Sequence, residues 1–164
     1  MPTPEKIREK TKLRRQNLKS YVQEVEVVCK RTTKTKELGL CQGFAFTKQG
    51  FQLFMDQYME VHNSWMATVK CISIAGDEGK GSFKVIASFN SETIVNPEEA
   101  SILLYYGNFR ENSLSLQSVL MELHLEVLEK IANQMKIPMV LTGDTKYLRS
   151  LFNLGDGGHP KGKN

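Results

Sequence analysis

The stretch KCISIAGDEGKGSF, Lys70–Phe83, decides the fold. It opens as an alternation, Ile72 and Ile74 against Cys71 and Ser73, and then breaks into Gly76, Gly79 and Gly81 around Asp77. Alternation with period two is the signature of a strand with one buried face. The aspartate after it reads three ways: as a turn residue, as part of a phosphate cradle, or as half of a metal site. A second Gly-Asp, in PMVLTGDTKY at Pro138–Tyr147, follows another apolar run and places Asp144 in a comparable position.

Working outward, the alternation extends over Ala67–Ala75 and returns over Ser82–Phe89, with SILLYY at Ser101–Tyr106 as a third short strand. GDEGKG between the first two suits a hairpin, so the three strands form an antiparallel meander. A helix is predicted from Ser113 to Gln134, with Leu116, Leu120, Leu123, Val127 and Ile131 on one face and Asn112 as N-cap. Ile137–Thr142 is apolar without alternation, as a strand buried on both faces should be, and a short helix over Thr145–Leu154 follows it. A helical crossover permits the fourth strand to pair in parallel with the first. The fold class is α/β.

The N-terminal third reads as helical. Thr3 and Pro4 suit an N-cap and first helical position, and Leu18, Val22, Val25 and Cys29 fall on one helical face. Residues 1–36 are therefore read as a basic helical arm that ends in a linker at KRTTKTKE. Residues 37–66 follow as an apolar helix and connector, with Phe51, Phe54, Met55, Tyr58 and Met59 at helical spacing, and 67–164 as the strand-bearing domain.

Charge follows the same division. Residues 1–36 hold 11 Lys/Arg against 4 Glu, whereas residues 37–164 hold 11 Lys/Arg against 14 Asp/Glu, so the net +4 belongs to the arm. Lys6, Arg8, Lys10, Lys12, Arg14, Arg15 and Lys19 would attract a polyanion such as DNA by counterion release, without base stacking, because no aromatic residue interleaves with them. A solvated basic helix accounts for the same residues. No apolar run reaches the length of a membrane span and no secretory h-region opens the chain, so an intracellular protein, nuclear or cytoplasmic, is expected. Three widely spaced cysteines, Cys29, Cys41 and Cys71, suit reduced thiols.

If the fourth strand lies beside the first and parallel to it, Asp77 and Asp144 each stand just past a strand end pointing the same way. Two such carboxylates are hard oxygen ligands for Mg²⁺ or Mn²⁺, and a metal pair suits phosphodiester chemistry. Each aspartate taken singly also reads as a turn or helix-cap residue. ISIAGDEGKGSFKV, ILLYYGNFRENSLSLQSVL and MVLTGDTKYLRSLFNLGDGGHP together resemble the RNase H-like core of DDE-type DNA transposases and their domesticated descendants, distantly similar to the V(D)J recombinase catalytic core, over roughly residues 65–160. The resemblance implies an RNase H-like fold in which Asp77 and Asp144 are the first two metal-binding acids of a DNA-cleaving or strand-transferring enzyme. Such enzymes carry a third acid on a later helix, which this sequence lacks; Asp156 follows Asp144 too closely to serve. An incomplete RNase H-like copy, inactive alone, is the expectation.

Other constellations offer less. GDEGKG lacks the Gly-Lys-Ser/Thr ending of a phosphate loop, and His62, His124 and His159 have no second ligand at metal spacing. Two further readings stay open: a non-catalytic nucleic-acid-binding or assembly module working through the arm, and an α/β domain of unrelated role.

Overall fold

The computed structural model describes residues 3–6, 8, 21–30, 38–79, 82–93, 96–108 and 113–143. They form a mixed six-stranded sheet in the order β1-β2-β5-β4-β3-β6. The strands are β1 (Val22–Lys30), β2 (Leu38–Phe46), β3 (Val69–Gly79), β4 (Ser82–Ser91), β5 (Ser101–Gly107) and β6 (Met139–Thr142). The helices are α1 (Lys48–Val61), α2 (Asn63–Met66), α3 (Ser113–Glu122) and α4 (Glu126–Met135). The expected antiparallel meander is β3-β4-β5, and β6 pairs in parallel with β3 through Ile72↔Met139 to Ala75↔Thr142. The short helix expected over Thr145–Leu154 lies outside the described residues.

The arm reading fails at Val22–Lys30, which is a strand and not a helix. VQEVEVVCK carries four valines, whose branched side chains favour the pleated surface over the helix. It also alternates Val25 and Val27, buried, with Glu24 and Glu26, exposed. The helical spacing of Leu18, Val22, Val25 and Cys29 is coincident with this stronger period of two. The pairing partner is β2, from Val22↔Phe46 to Lys30↔Leu38, a strand within the 37–66 stretch expected as an apolar helix and connector. β2 in turn pairs with β5, so this N-terminal hairpin extends the meander sheet.

The long helix is also interrupted. α3 ends at Glu122, His124 adopts a left-handed backbone at φ 51°, and α4 begins at Glu126. The new helix start is favoured by Glu126 and Glu129 in its first turn, where carboxylates meet the positive end of the helix dipole. The Glu126 carboxyl is held below the usual carboxylate range, first by its own backbone N–H and then by Lys48 and His124, with burial opposing. The break still leaves Leu116, Val119 and Leu123 of the first segment, and Val127, Leu128 and Ile131 of the second, buried.

The helices and one face of the sheet enclose the core. Ile72 and Ile74, Phe83, Val85, Ala87 and Phe89, and Ile102, Leu104 and Tyr105 supply the strand side. Leu104 is the extra residue of a bulge, since Val85 pairs with Tyr105 and Ile86 with Leu103; both Leu104 and Tyr105 are thereby buried. α1 begins with Thr47 as N-cap, its hydroxyl accepting from the Gly50 N–H at 2.9 Å. It lays Phe51, Met55 and Tyr58 on the core, with Phe51 stacked on Phe46 at 5.0 Å and Tyr58 on Phe89 at 5.4 Å.

The buried phenols supply a pH test. The Tyr58 hydroxyl donates to the Glu99 carbonyl. Its pKa is pushed up to about 12 by burial and then by the charge of Glu99; that of Tyr105 is pushed up to about 12 by burial and then by Glu122. A folded-state pKa raised above the unfolded value near 10 gives stability that is complete below pH 10 and is lost between about pH 10 and 12, where only the unfolded chain has released the proton. Ultraviolet titration of the folded protein should show Tyr58 and Tyr105 ionising late, together with alkaline unfolding. Tyr58→Phe should leave one late phenol. If both phenols ionise near pH 10 while circular dichroism stays native, the burial assignment is wrong.

Two further expectations meet the structure here. Among the described residues no helix is long and apolar enough to cross a membrane. The cysteines are not all reduced: Cys41 is disulfide-bonded, while Cys71 is a free thiol.

Candidate metal centre

Asp77 does not stand past the end of its strand. β3 runs on to Gly79 and β4 restarts at Ser82, with Gly79↔Ser82 as the last ladder pair, so GDEG continues the strand. The period of two then puts Asp77 on the face opposite Ile72, Ile74 and buried Gly76, where it is exposed. Its cross-strand partner is Lys84, whose Nζ lies 4.0 Å from Asp77 Oδ2. The sequence reading missed this lysine, although the ladder pair Gly79↔Ser82 sets 77 opposite 84 by counting back along the strands. Both side chains are about half exposed or more, so the ion pair contributes at most about 1 kcal/mol.

β6 runs parallel to β3 toward this corner. Its last ladder pair is Ala75↔Thr142, and Gly143 follows at a positive φ of 155°. Asp144 lies outside the described residues, as do Lys10, Lys12, Arg14, Arg15 and Lys19 of the arm. Of the arm's cations Lys6 and Arg8 are described; both are helical and exposed.

Among the described residues no three His, Cys, Asp or Glu side chains gather as a metal-binding group. Asp77 is the one described member of the expected pair. An exposed carboxylate with only a weak ion pair fits Mg²⁺ or Mn²⁺, which bind through one or two carboxylates while retaining waters. The two described histidines do other work. His62 Nδ1 accepts from the Trp65 indole N–H at 3.2 Å, and His124 Nδ1 lies 3.7 Å from Glu126 Oε1.

GDEGKG is not a phosphate loop, because its first four residues are strand and it leads into strand β4 instead of a helix N-terminus. No family model matches the chain, and no curated protein or solved structure is detectably similar to it.

Proposed function

We propose that the protein is derived from a metal-dependent DNA-cleaving or strand-transferring enzyme of the DDE, RNase H-like type, with Asp77 and Asp144 holding Mg²⁺ or Mn²⁺. The observation that carries this reading is the parallel pair Ala75↔Thr142. Asp77 follows Ala75 by two residues and Asp144 follows Thr142 by two, each after a glycine. The local order β5-β4-β3-β6, an antiparallel meander crossing through helices to a parallel strand, supports the same reading. When bound, the metal supplies charge stabilisation for a phosphodiester. The chain's own contribution is to present the two carboxylates from neighbouring strands and to hold Lys84 beside the first of them.

The reading is tested by titrating Mn²⁺ into the 164-residue protein and following the loss of the free-ion signal by electron paramagnetic resonance. Saturable binding that disappears in Asp144→Asn supports the pair. Binding indifferent to either aspartate removes it.

A second reading, non-catalytic nucleic-acid binding through the arm, rests on the surplus of positive charge in residues 1–36 and on the exposure of Lys6 and Arg8. It predicts sequence-independent duplex binding that falls steeply with salt. Replacing the seven cations Lys6, Arg8, Lys10, Lys12, Arg14, Arg15 and Lys19 with glutamine should abolish that binding and leave β1 intact. Undiminished duplex binding by the substituted protein makes the arm a solvated surface.

A further inference from the structure

The face of the sheet turned away from the helices carries a continuous row of side chains, of which the metal site involves Asp77 and Lys84 and leaves the aromatic members unexplained. Ladder pairing sets it out strand by strand: Glu24 on β1, Phe44 on β2, Tyr106 on β5, Lys84 on β4 and Asp77 on β3. Phe44 is 53% exposed and Tyr106 44% exposed. Exposed apolar side chains scattered singly are ordinary on a protein surface, whereas two adjoining rings make a contiguous patch. These two are direct cross-strand partners and make no ring contact with another described aromatic residue. Lys84 stands next in the row, ion-paired with the exposed Asp77.

We infer that this face is a stacking platform for single-stranded nucleic acid, with bases on Phe44 and Tyr106 and the backbone phosphate at Lys84. Two aromatic faces on adjacent strands of an open sheet, with an amine beside them, match what unpaired bases require, namely π-surfaces to stack on and a cation for the phosphate. Duplex bases are already stacked on their neighbours and offer no free face. The carboxylates Glu24 and Asp77 stand at the two ends of the row, so a backbone phosphate is confined to Lys84 between them. Neighbouring strands lie about 4.8 Å apart, which puts Asp77 about 14 Å from Phe44 along the row. At about 3.4 Å per nucleotide of one strand, that distance admits about four stacked nucleotides. This inference deepens the proposed function, and rests on it for the role of Asp77, by making the substrate an unpaired strand delivered to the metal carboxylates. The platform itself requires no metal.

The test is fluorescence anisotropy of the full chain with a labelled oligo(dT) of about 12 nucleotides, within the range of known single-strand site sizes, and with a duplex of equal length. Both are measured in EDTA, so that failure of the metal site cannot masquerade as failure of the platform. The protein should prefer the single strand. Phe44→Ala and Tyr106→Ala should each weaken binding about 5- to 100-fold, the loss expected for one stacked base, while Tyr106→Phe stays within about twofold. Lys84→Gln should lower the slope of log affinity against log salt by about 0.7, one phosphate contact on a single strand. Photocrosslinks from a bromouracil oligonucleotide to the unaltered protein should map to Leu38–Phe46 and Ser101–Gly107. Alanine variants that bind like the parent overturn the platform, as do crosslinks confined to residues 1–20. A dimer that Phe44→Ala turns into a monomer also overturns it, by giving the face to a second copy of the chain.

Discussion

Gly43→Ala should lower the stability of the domain by about 2 to 3 kcal/mol, at the upper end of what overpacking a core costs. Gly43 and Gly107 are Cα partners across β2 and β5, and the fully buried ring of Tyr105 lies over both. A Cβ built on either glycine would lie 2.1 to 2.9 Å from the Tyr105 hydroxyl and ring carbons, well inside van der Waals contact. The ring cannot swing aside, because it is 0% exposed and sits 6.5 Å from the Phe83 ring in the same core. Urea melts should show a lower midpoint with an unchanged slope, as a change in stability without a change in exposed surface requires. Tyr105→Leu removes the obstructing atoms, so the double variant Gly43→Ala with Tyr105→Leu should lose less than the sum of the two single losses. Strict additivity would place the cost of the alanine in the strand backbone, not in the ring slot.

Asp77→Asn should remove most of the Mn²⁺ binding, a loss of at least about tenfold, because the neutral amide gives up the anionic ligand that a hard cation selects. The parent affinity should itself be weak, in the range of about 10⁻⁴ to 10⁻³ M typical of sites with few charged ligands. No described acidic group joins Asp77 to complete a three-residue site. Two-metal chemistry needs enough carboxylate to hold both ions. The 164-residue polypeptide should therefore bind Mn²⁺ without nicking a supercoiled plasmid. Mn²⁺-dependent nicking that is lost in Asp77→Asn would show that two carboxylates suffice. Lys84→Gln supplies the opposite sign: removing the cation 4.0 Å from Asp77 should tighten Mn²⁺ binding modestly, since like charges no longer compete for one carboxylate.

The meander, the apolar helix after Thr47 and the parallel fourth strand were legible in the residues alone. Each is set by a local period: two for Ile72 and Ile74, about 3.6 for Phe51, Met55 and Tyr58. Of the candidate site, the sequence offered two Gly-Asp pairs each after an apolar run; Asp77 lies within its strand instead of past its end, and Asp144 is outside the described residues. What local pattern left undecided is where a segment had two periods to choose from, or none. Val22–Lys30 supports both a helical stripe and a strand alternation, and the choice fell to the strand because β2 lay open to pair with it. The helix over Ser113–Gln134 keeps an unbroken stripe in sequence, yet it divides at His124, with no glycine or proline to announce the break. Asp77 looked like a turn residue until the ladder ran on to Gly79. The row from Glu24 to Asp77 joins residues far apart in the chain and exists only as register between five strands. Periodicity decides which face of an element is apolar, because it is a property of consecutive residues. Which residues stand side by side is decided by hydrogen-bond register between distant segments, an interaction that no single stretch of sequence contains.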